Sequence, residues 1–381
     1  MKLDFKNAVD GLVEKRVLKS LKKYNHVLIF GAGESGSWVK KLLEMHDIKP
    51  CCFCDNYKGK WGSIKCGLTV ESFQHAMEKY PDSAICIASM WVDEIKMQIQ
   101  KWDAALLDRT WNLLDTMNWE TEEKVFESKE INYIKKNVDE LEKMAENYAD
   151  DISRNTLEGI LNYRLTRKIE YINNIRSVNE IYLDTDLLTN ACYKKIKTST
   201  IIDGGAYDGD TIRYFIDKLG ADTVLKIHAF EIDEINCKKI KEQSKQFAPH
   251  QITVHQNALW NESQELFIGG NDLSEKVNVS DAGCSNKITA ITIDELNNKN
   301  IGFIKLDIEG AERKALDGAR DTIKACHPIL AICAYHMQDD LLMLYQSIQS
   351  MDCEYKIYLR HYMNSAGDTI LYAIPTDVIE E

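Results

Sequence analysis

Residues 201–211 read IIDGGAYDGDT. Two isoleucines lead into an aspartate, two glycines follow, and a third glycine precedes DTIRYFIDKL (210–219). A short apolar run that ends in an acid and breaks into glycines reads as a strand leaving a sheet through a tight turn into a helix. Working outward, IHAFE (227–231) is a second strand, EINCKKIKEQSKQF a helix, and ITVHQNALW carries a third strand. FIKLD (303–307) is a fourth and PILAICAYH (328–336) a fifth. EYKIYLRHY and DTILYAIP, joined by a polar NSAG turn, close the chain as an antiparallel pair. Strands alternating with helices predict a parallel sheet with crossover helices. Ligands of such sheets bind outside the carboxyl ends of the strands.

The acids therefore fall where a ligand would sit. Asp203, Gly205 and Gly209 stand in D-x-G-x-x-x-G spacing, which differs from the G-x-G-x-x-G that cradles a pyrophosphate. It suits S-adenosylmethionine, with Gly205 letting the backbone approach and Asp203 receiving the cationic amino group directly or through water. Tyr207 and Asp208 line the loop or shape its turn. Glu231, at the next strand tip, is placed to accept ribose hydroxyls. Asn257 and Ala258, near the third strand's end, flank the adenine, and Trp260 reads as core or as packing beside it. The stretch from Phe267 to Ser285 reads as a lid or as a surface insertion.

Chemistry on a hydroxyl at such a strand edge needs a group that takes the proton. Asp307 ends the fourth strand, with Glu309 and Glu312 close behind. The cluster reads as acceptor site, base or oxygen ligands for a divalent ion, with a helix cap as the plain reading of Asp307. His336 at the fifth strand tip is the other candidate base. Tyr335 points to the opposite face if that strand continues. Arg360 and His361 read as a sheet-end ion pair or as acceptor contacts.

The amino-terminal region repeats the logic. FGAGESG places Gly31, Gly33 and Gly36 in G-x-G-x-x-G spacing between the strand VLIF (27–30) and a helix. Such a loop favours an anion at the helix start, and Asp55, at the end of CCFCD, stands about 20 residues on, where it could accept from a ribose. Packing alone is the competing reading. AICIAS (84–89) is a further strand, and Trp91 to Trp102 a helix. From 116 to 181 the chain is rich in Glu, Lys, Asn and Ile and reads as amphipathic helices.

Across its 381 residues the chain has 47 Lys and Arg against 60 Asp and Glu, a net charge of −13. That balance disfavours broad nucleic-acid binding, which needs a basic face. No apolar run reaches the length of a membrane span. The charged start lacks the apolar stretch of a secretory signal, and the eleven scattered cysteines read as reduced thiols, so the expected location is cytoplasmic. Cys51 and Cys54 form C-x-x-C without a second pair, so no metal site is assigned there.

Taken together, YLDTDLL (182–188), IIDGGAYDGDT, AFEID (229–233), NALW (257–260), FIKLDIEGAERKALDGA (303–319), LAICAYH (330–336) and YLRHY (358–362) resemble the FkbM family of S-adenosylmethionine-dependent methyltransferases. The resemblance implies a class I fold, a seven-stranded sheet with an antiparallel last strand, and methyl transfer to oxygen, commonly on sugars. Gly31 to Gly36 with Asp55-Asn56 resemble the amino-terminal Rossmann-like domains of bacterial surface-polysaccharide enzymes, including sugar acyltransferases. That resemblance implies a nucleotide or nucleotide-sugar pocket or a relic of one.

The expected fold is thus α/β: a Rossmann-like nucleotide-binding domain (1–115), a helical linker or cap (116–181) and a methyltransferase domain (182–381). The expected activity is O-methylation of a sugar hydroxyl in polysaccharide or glycoconjugate biosynthesis. His336, Asp307 and Glu309 would be catalytic. Asp203, Gly205, Tyr207, Gly209, Glu231, Asn257, Ala258 and Asp307 would hold the cofactor. Partners are a small-molecule or sugar acceptor and a second copy of the chain. The rival readings are an NAD-dependent oxidoreductase using the first glycine loop and a non-catalytic nucleotide-binding protein.

Overall fold

The computed structural model describes residues 1–8, 12–89, 91–113, 126–166, 168–220, 226–247, 251–271, 274–278, 286–351, 354–364 and 366–379. Part of the expected helical segment (116–125) and part of the expected lid (272–273 and 279–285) lie outside these residues. The chain divides into two compact units. One comprises residues 4–134 and 162–169, the other residues 1–3, 135–161 and 170–381.

The first unit opens with α1 (Leu12–Leu21), β1 (Val27–Phe30) and α2 (Glu34–Met45). It continues with β2 (Cys52–Cys54), β3 (Ile64–Lys65), β4 (Leu68–Glu71) and α3 (Phe73–Lys79). β5 (Ala84–Ile87), α4 (Val92–Trp102) and β6 (Thr110–Asn112) follow. The sheet order is β3-β4-β2-β1-β5-β6, parallel except for β3. VLIF and AICI are buried along their whole length, as expected of central strands covered on both faces. Ser72 caps α3 by accepting from His75 N.

Helices α5 (Phe126–Lys136), α6 (Val138–Asn147), α7 (Asp151–Thr166) and α8 (Ile169–Asn173) follow. The helical pattern read between 116 and 181 is present from Phe126 to Asn173 apart from short breaks, whereas residues 174–181 are turns and bends with an isolated bridge at Arg176.

The second unit is built on α9 (Asn190–Lys197), β7 (Thr200–Gly204), α10 (Asp210–Leu219), β8 (Lys226–Phe230), α11 (Glu234–Ser244) and β9 (Ile252–His255). Next come β10 (Ala258–Leu259), β11 (Gln264–Asn271), β12 (Ser274–Asn278), β13 (Asn286–Ile291) and β14 (Ile301–Leu306). The last elements are α12 (Glu312–Asp317), α13 (Arg320–Cys326), β15 (Ile329–Cys333), α14 (Asp340–Gln349), β16 (Tyr355–His361), β17 (Thr369–Pro375) and α15 (Thr376–Ile379). Seven strands form a sheet in the order β16-β17-β15-β14-β7-β8-β9. β17 runs antiparallel to both β15 and β16, and the other pairings are parallel. The order leaves β7 and β14 adjacent although a hundred residues separate them in sequence. Their carboxyl ends, Gly204 and Leu306, are in register.

Two expectations are corrected here. The third strand, β9, ends at His255 rather than near Asn257 and Ala258, and Ala258–Leu259 joins a separate four-stranded sheet, β10-β13-β11-β12. The expected lid contains most of β11 and all of β12, paired in register from Phe267↔Asn278 to Asn271↔Ser274. The local composition gave no alternation to announce this hairpin. It pairs on β13, which lies beyond it in sequence, and is anchored by Leu266, packed with Ala258, Trp260, Ile288 and Ala290. Among the described residues no helix is long and apolar enough to cross a membrane.

Candidate active site

The carboxyl end of β7 carries the second glycine loop. Gly205 has φ +74°, and a Cβ there would lie 1.8 Å from the Asp307 carbonyl oxygen. Only glycine lets the loop pass this close to the end of β14. Gly209, at φ +88°, opens α10. Between them Tyr207 has φ +46° and its residue is 61% exposed. The loop is held from below. Lys305, fully buried on β14, places its ammonium 3.0 Å from Asp203 Oδ1 and donates to the carbonyls of Gly204 (3.0 Å) and Gly205 (2.6 Å). Burial works against that charge. The Asp203 and Asp307 carboxylates more than offset it, and Lys305 is pushed up to about 12. Asp203 is 0% exposed, and burial lifts its carboxyl above the ordinary value against the pull of Lys305. Its Oδ2 has no hydrogen-bond partner among the described residues.

Glu231 follows the end of β8. Its carboxylate accepts from Asp233 N (2.8 Å) and from the backbone N–H groups of Tyr207 and Ile232, while burial raises its carboxyl. The bond from Tyr207 ties this strand end to the glycine loop. Asn257 donates to Thr289 O (3.1 Å), and Ala258 is buried in the small sheet. Trp260 is core, with Lys314 Nζ 5.8 Å from its ring centroid.

Asp307 lies just past β14. Sequence alone allowed it to cap the next helix, but α12 starts only at Glu312, and Glu312 Oε1 takes the Ile308 N–H (2.8 Å). Asp307 instead accepts from Tyr182 Oη at Oδ2 (2.9 Å) and from Tyr335 Oη at Oδ1 (3.2 Å). His336 Nε2 is 3.3 Å from Asp307 Oδ1, and His336 Nδ1 is 2.9 Å from Glu312 Oε1. Burial alone would lower the imidazole. The carboxylates of Glu312 and Asp307 override it and hold His336 well above its usual range. Burial alone would likewise raise Asp307. The His336 bond and the Lys305 charge hold it far below the usual carboxylate range. Glu309, at φ +57°, stands 3.8 Å from His336 Nε2. Among the described residues, Asp307, Glu312 and His336 are the one group of three or more His, Cys, Asp or Glu residues at metal-ligand separation.

Tyr335 was expected on the face opposite His336. β15 ends at Cys333, the alternation stops there, and both side chains reach Asp307 with ring centroids 4.2 Å apart. Arg360 makes the sheet-end ion pair, with Asp150 (2.6 Å), and His361 is fully buried with its Nδ1 hydrogen-bonded to Thr369 Oγ1 (2.9 Å).

Sequence reasoning passed over Lys305 and Tyr182. The signal for Lys305 was a charged residue inside the apolar run FIKL; a buried charge must be paired. Tyr182 sits in YLDTDLL at φ +68°, with its N–H donating to Tyr372 Oη (3.0 Å).

In the first glycine loop a Cβ on Gly31 (φ +123°) would strike Ala88 O at 2.3 Å, and one on Gly36 would strike Gly31 O at 2.1 Å. Nothing lies within 4 Å of a Cβ on Gly33. Asp55 turns back onto its own unit. It accepts from Ala32 N (3.0 Å) and Tyr57 N (2.8 Å) and pairs with Lys60 (2.8 Å).

No curated protein matches the sequence. Among solved structures, the chain is similar to methyltransferase FkbM from Methylobacillus flagellatus KT at 22% identity, covering 96% of this chain and 94% of that chain with a TM-score of 0.67. At that identity the likeness shows the fold. More distant likenesses, too weak to carry an argument, include a SAM-dependent O-methyltransferase from Thermotoga maritima (12% identity, 54% and 70% coverage, TM-score 0.32). Another is Aeropyrum pernix fibrillarin in complex with natively bound S-adenosyl-L-methionine (8% identity, 48% and 68% coverage, TM-score 0.29). Residues 203–357 match the family model described as Methyltransferase FkbM domain, and with that match the chain is a methyltransferase dependent on S-adenosylmethionine.

Proposed function

We propose that this chain transfers the methyl group of S-adenosylmethionine to a hydroxyl oxygen of a sugar, in polysaccharide or glycoconjugate synthesis. Residues 182–381 would do the chemistry. Residues 1–115 would bind a nucleotide or nucleotide-sugar. The observation that carries the reading is the convergence of Gly205, Glu231 and Asp307 at neighbouring strand ends, where the Gly205 backbone leaves no room for a Cβ against Asp307.

The donor set fits the cofactor. Asp203 Oδ2 is a buried acceptor without a hydrogen-bond partner among the described residues, suited to an amino cation directly or through water. Glu231 suits ribose hydroxyls. Asn257 and Ala258 stand beyond β9 for the adenine. When bound, the cofactor supplies an electrophilic methyl on a positively charged sulfur, displaced in line by the acceptor oxygen. The chain's residues bind and align that oxygen. Asp307 and Glu309 would receive the acceptor hydroxyls. His336, clamped between Asp307 and Glu312, would hold Asp307 in its orientation and balance the acidic cluster.

Calorimetric titration with S-adenosylmethionine tests the cofactor, and S-adenosylhomocysteine release with a panel of free sugars, methyl glycosides and nucleotide-sugars tests the acceptor. Saturable turnover with a member of the panel is expected. Cofactor binding with turnover on none of them would overturn the sugar reading.

A further inference from the structure

We propose that Asp368 is the base that takes the proton from the acceptor hydroxyl, an inference that rests on the methyl-transfer reading above. The topology puts it there. β17 is antiparallel to β15, with Cys333 opposite Ile370, so the strand begins at the edge where β7, β14 and β15 end. Asp368 immediately precedes it, at the head of the segment DTILYAIP that reads in sequence as strand. Its backbone is pinned between two exits from the sheet. Tyr362 N donates to the Asp368 carbonyl (3.0 Å), and Ala334 N donates to the next carbonyl, Thr369 O (2.8 Å). The residue is partly buried and held at φ +50°, a left-handed conformation that aspartate and asparagine tolerate better than other side chains.

The neighbours decide the role. Tyr335 Oη donates to Asp307 Oδ1 (3.2 Å), and the same hydroxyl is close enough to Asp368 to favour its charge. Asp307 is engaged by Tyr182, Tyr335 and His336, and its affinity for a proton is correspondingly low. His336 is flanked by carboxylates at both nitrogens and keeps its proton. Glu312 is fully buried behind it. The groups bearing on Asp368 are Asp307, which repels its charge, and His336 and Tyr335, which favour it. Burial and Asp307 together push its carboxyl up to about 6, near the value a base needs at neutral pH. In the step, the acceptor O–H proton passes to the Asp368 carboxylate as the oxygen–methyl bond forms. The methyl–sulfur bond breaks with its electron pair left on sulfur. The proton then leaves to solvent through the exposed part of the side chain.

The test compares wild type, D368N and D368E between pH 5 and 9. S-adenosylmethionine affinity is read by calorimetry, and turnover by S-adenosylhomocysteine release with methyl glycosides and with water as sole acceptor. Asparagine adopts the left-handed turn as readily, so D368N should melt with wild type. Expected are an unchanged cofactor Kd and a turnover loss of about a hundredfold or more. The acidic limb of the wild-type rate profile should vanish in D368N, and D368E should recover part of the rate. D368N turnover within threefold of wild type, or a cofactor affinity that falls in step with turnover, would overturn the assignment. If wild type binds the cofactor yet methylates no glycoside, the sugar reading fails. The water reaction then still decides on Asp368: equal methanol formation by wild type and D368N removes it from catalysis.

Discussion

The two glycine loops of this chain share a grammar and differ in what stands around them. Each follows a buried strand and precedes a helix, and each has a glycine whose missing Cβ lets the backbone pass another strand's carbonyl. In the first loop that carbonyl is Ala88 O, and the acid at the next strand tip, Asp55, is drawn back onto Ala32 N and Lys60. In the second, the carbonyl is Asp307 O, and Asp203, Glu231 and Asp307 gather at the same edge. A glycine pattern specifies a turn. A site also needs acids from several strands gathered at one edge with an acceptor left over, as Asp203 Oδ2 is among the described residues.

The comparison can be broken most forcefully at Lys305. K305M leaves Asp203 buried without its cation, and we expect a stability loss of about 3–5 kcal/mol with cofactor binding abolished. Chemical denaturation and calorimetry read the two effects, and K305R should restore part of both. A K305M protein that binds the cofactor normally would remove the strut from the site.

G205A adds a Cβ against Asp307 O and keeps an unfavourable φ, for an expected cost of roughly 2–4 kcal/mol. G33A in the first loop meets open space and should stay within about 0.5 kcal/mol of wild type. Equal melting temperatures for the two variants would erase the distinction between the loops.

E231Q should weaken cofactor binding by about 1–3 kcal/mol, the scale of a lost charged hydrogen-bond partner. D55N should leave cofactor affinity unchanged. A calorimetric series on both variants checks this, and a larger effect of D55N would place the cofactor in the other loop.

The smallest effect is a pH dependence. His336 is raised in the folded protein by Glu312 and Asp307, so its charge stabilises the fold fully below the unfolded value of about 6.5. That contribution declines as pH rises above 6.5 and is gone once the folded value is passed. H336Q should be less stable than wild type at pH 6 and should lose less stability on going to pH 9. Parallel melting curves across that range would show that the imidazole is neutral in its clamp.

What could be read from the chain itself was whatever local chemistry fixes. Apolar runs such as IIDGG and FIKLD announce buried strands, and an acid or glycine at the end of each marks the edge where the backbone leaves the sheet. Asp203, Glu231, Asp307 and His336 were therefore legible as strand-tip residues. The seven strands of the large sheet and its antiparallel last strand followed from the resemblance. The small sheet was not legible, because GGN and the residues around it pair through β13 rather than through a pattern of their own. Nor were the partners of each acid. That Asp203 faces Lys305, that Tyr182 and Tyr335 both reach Asp307, and that an antiparallel strand delivers Asp368 to the same edge depend on which strands become neighbours. Periodicity determines which residues arrive at an edge; only the folded chain decides which of them meet, because those contacts join residues of different segments, 28 positions apart for Tyr335 and Asp307 and 125 for Tyr182 and Asp307.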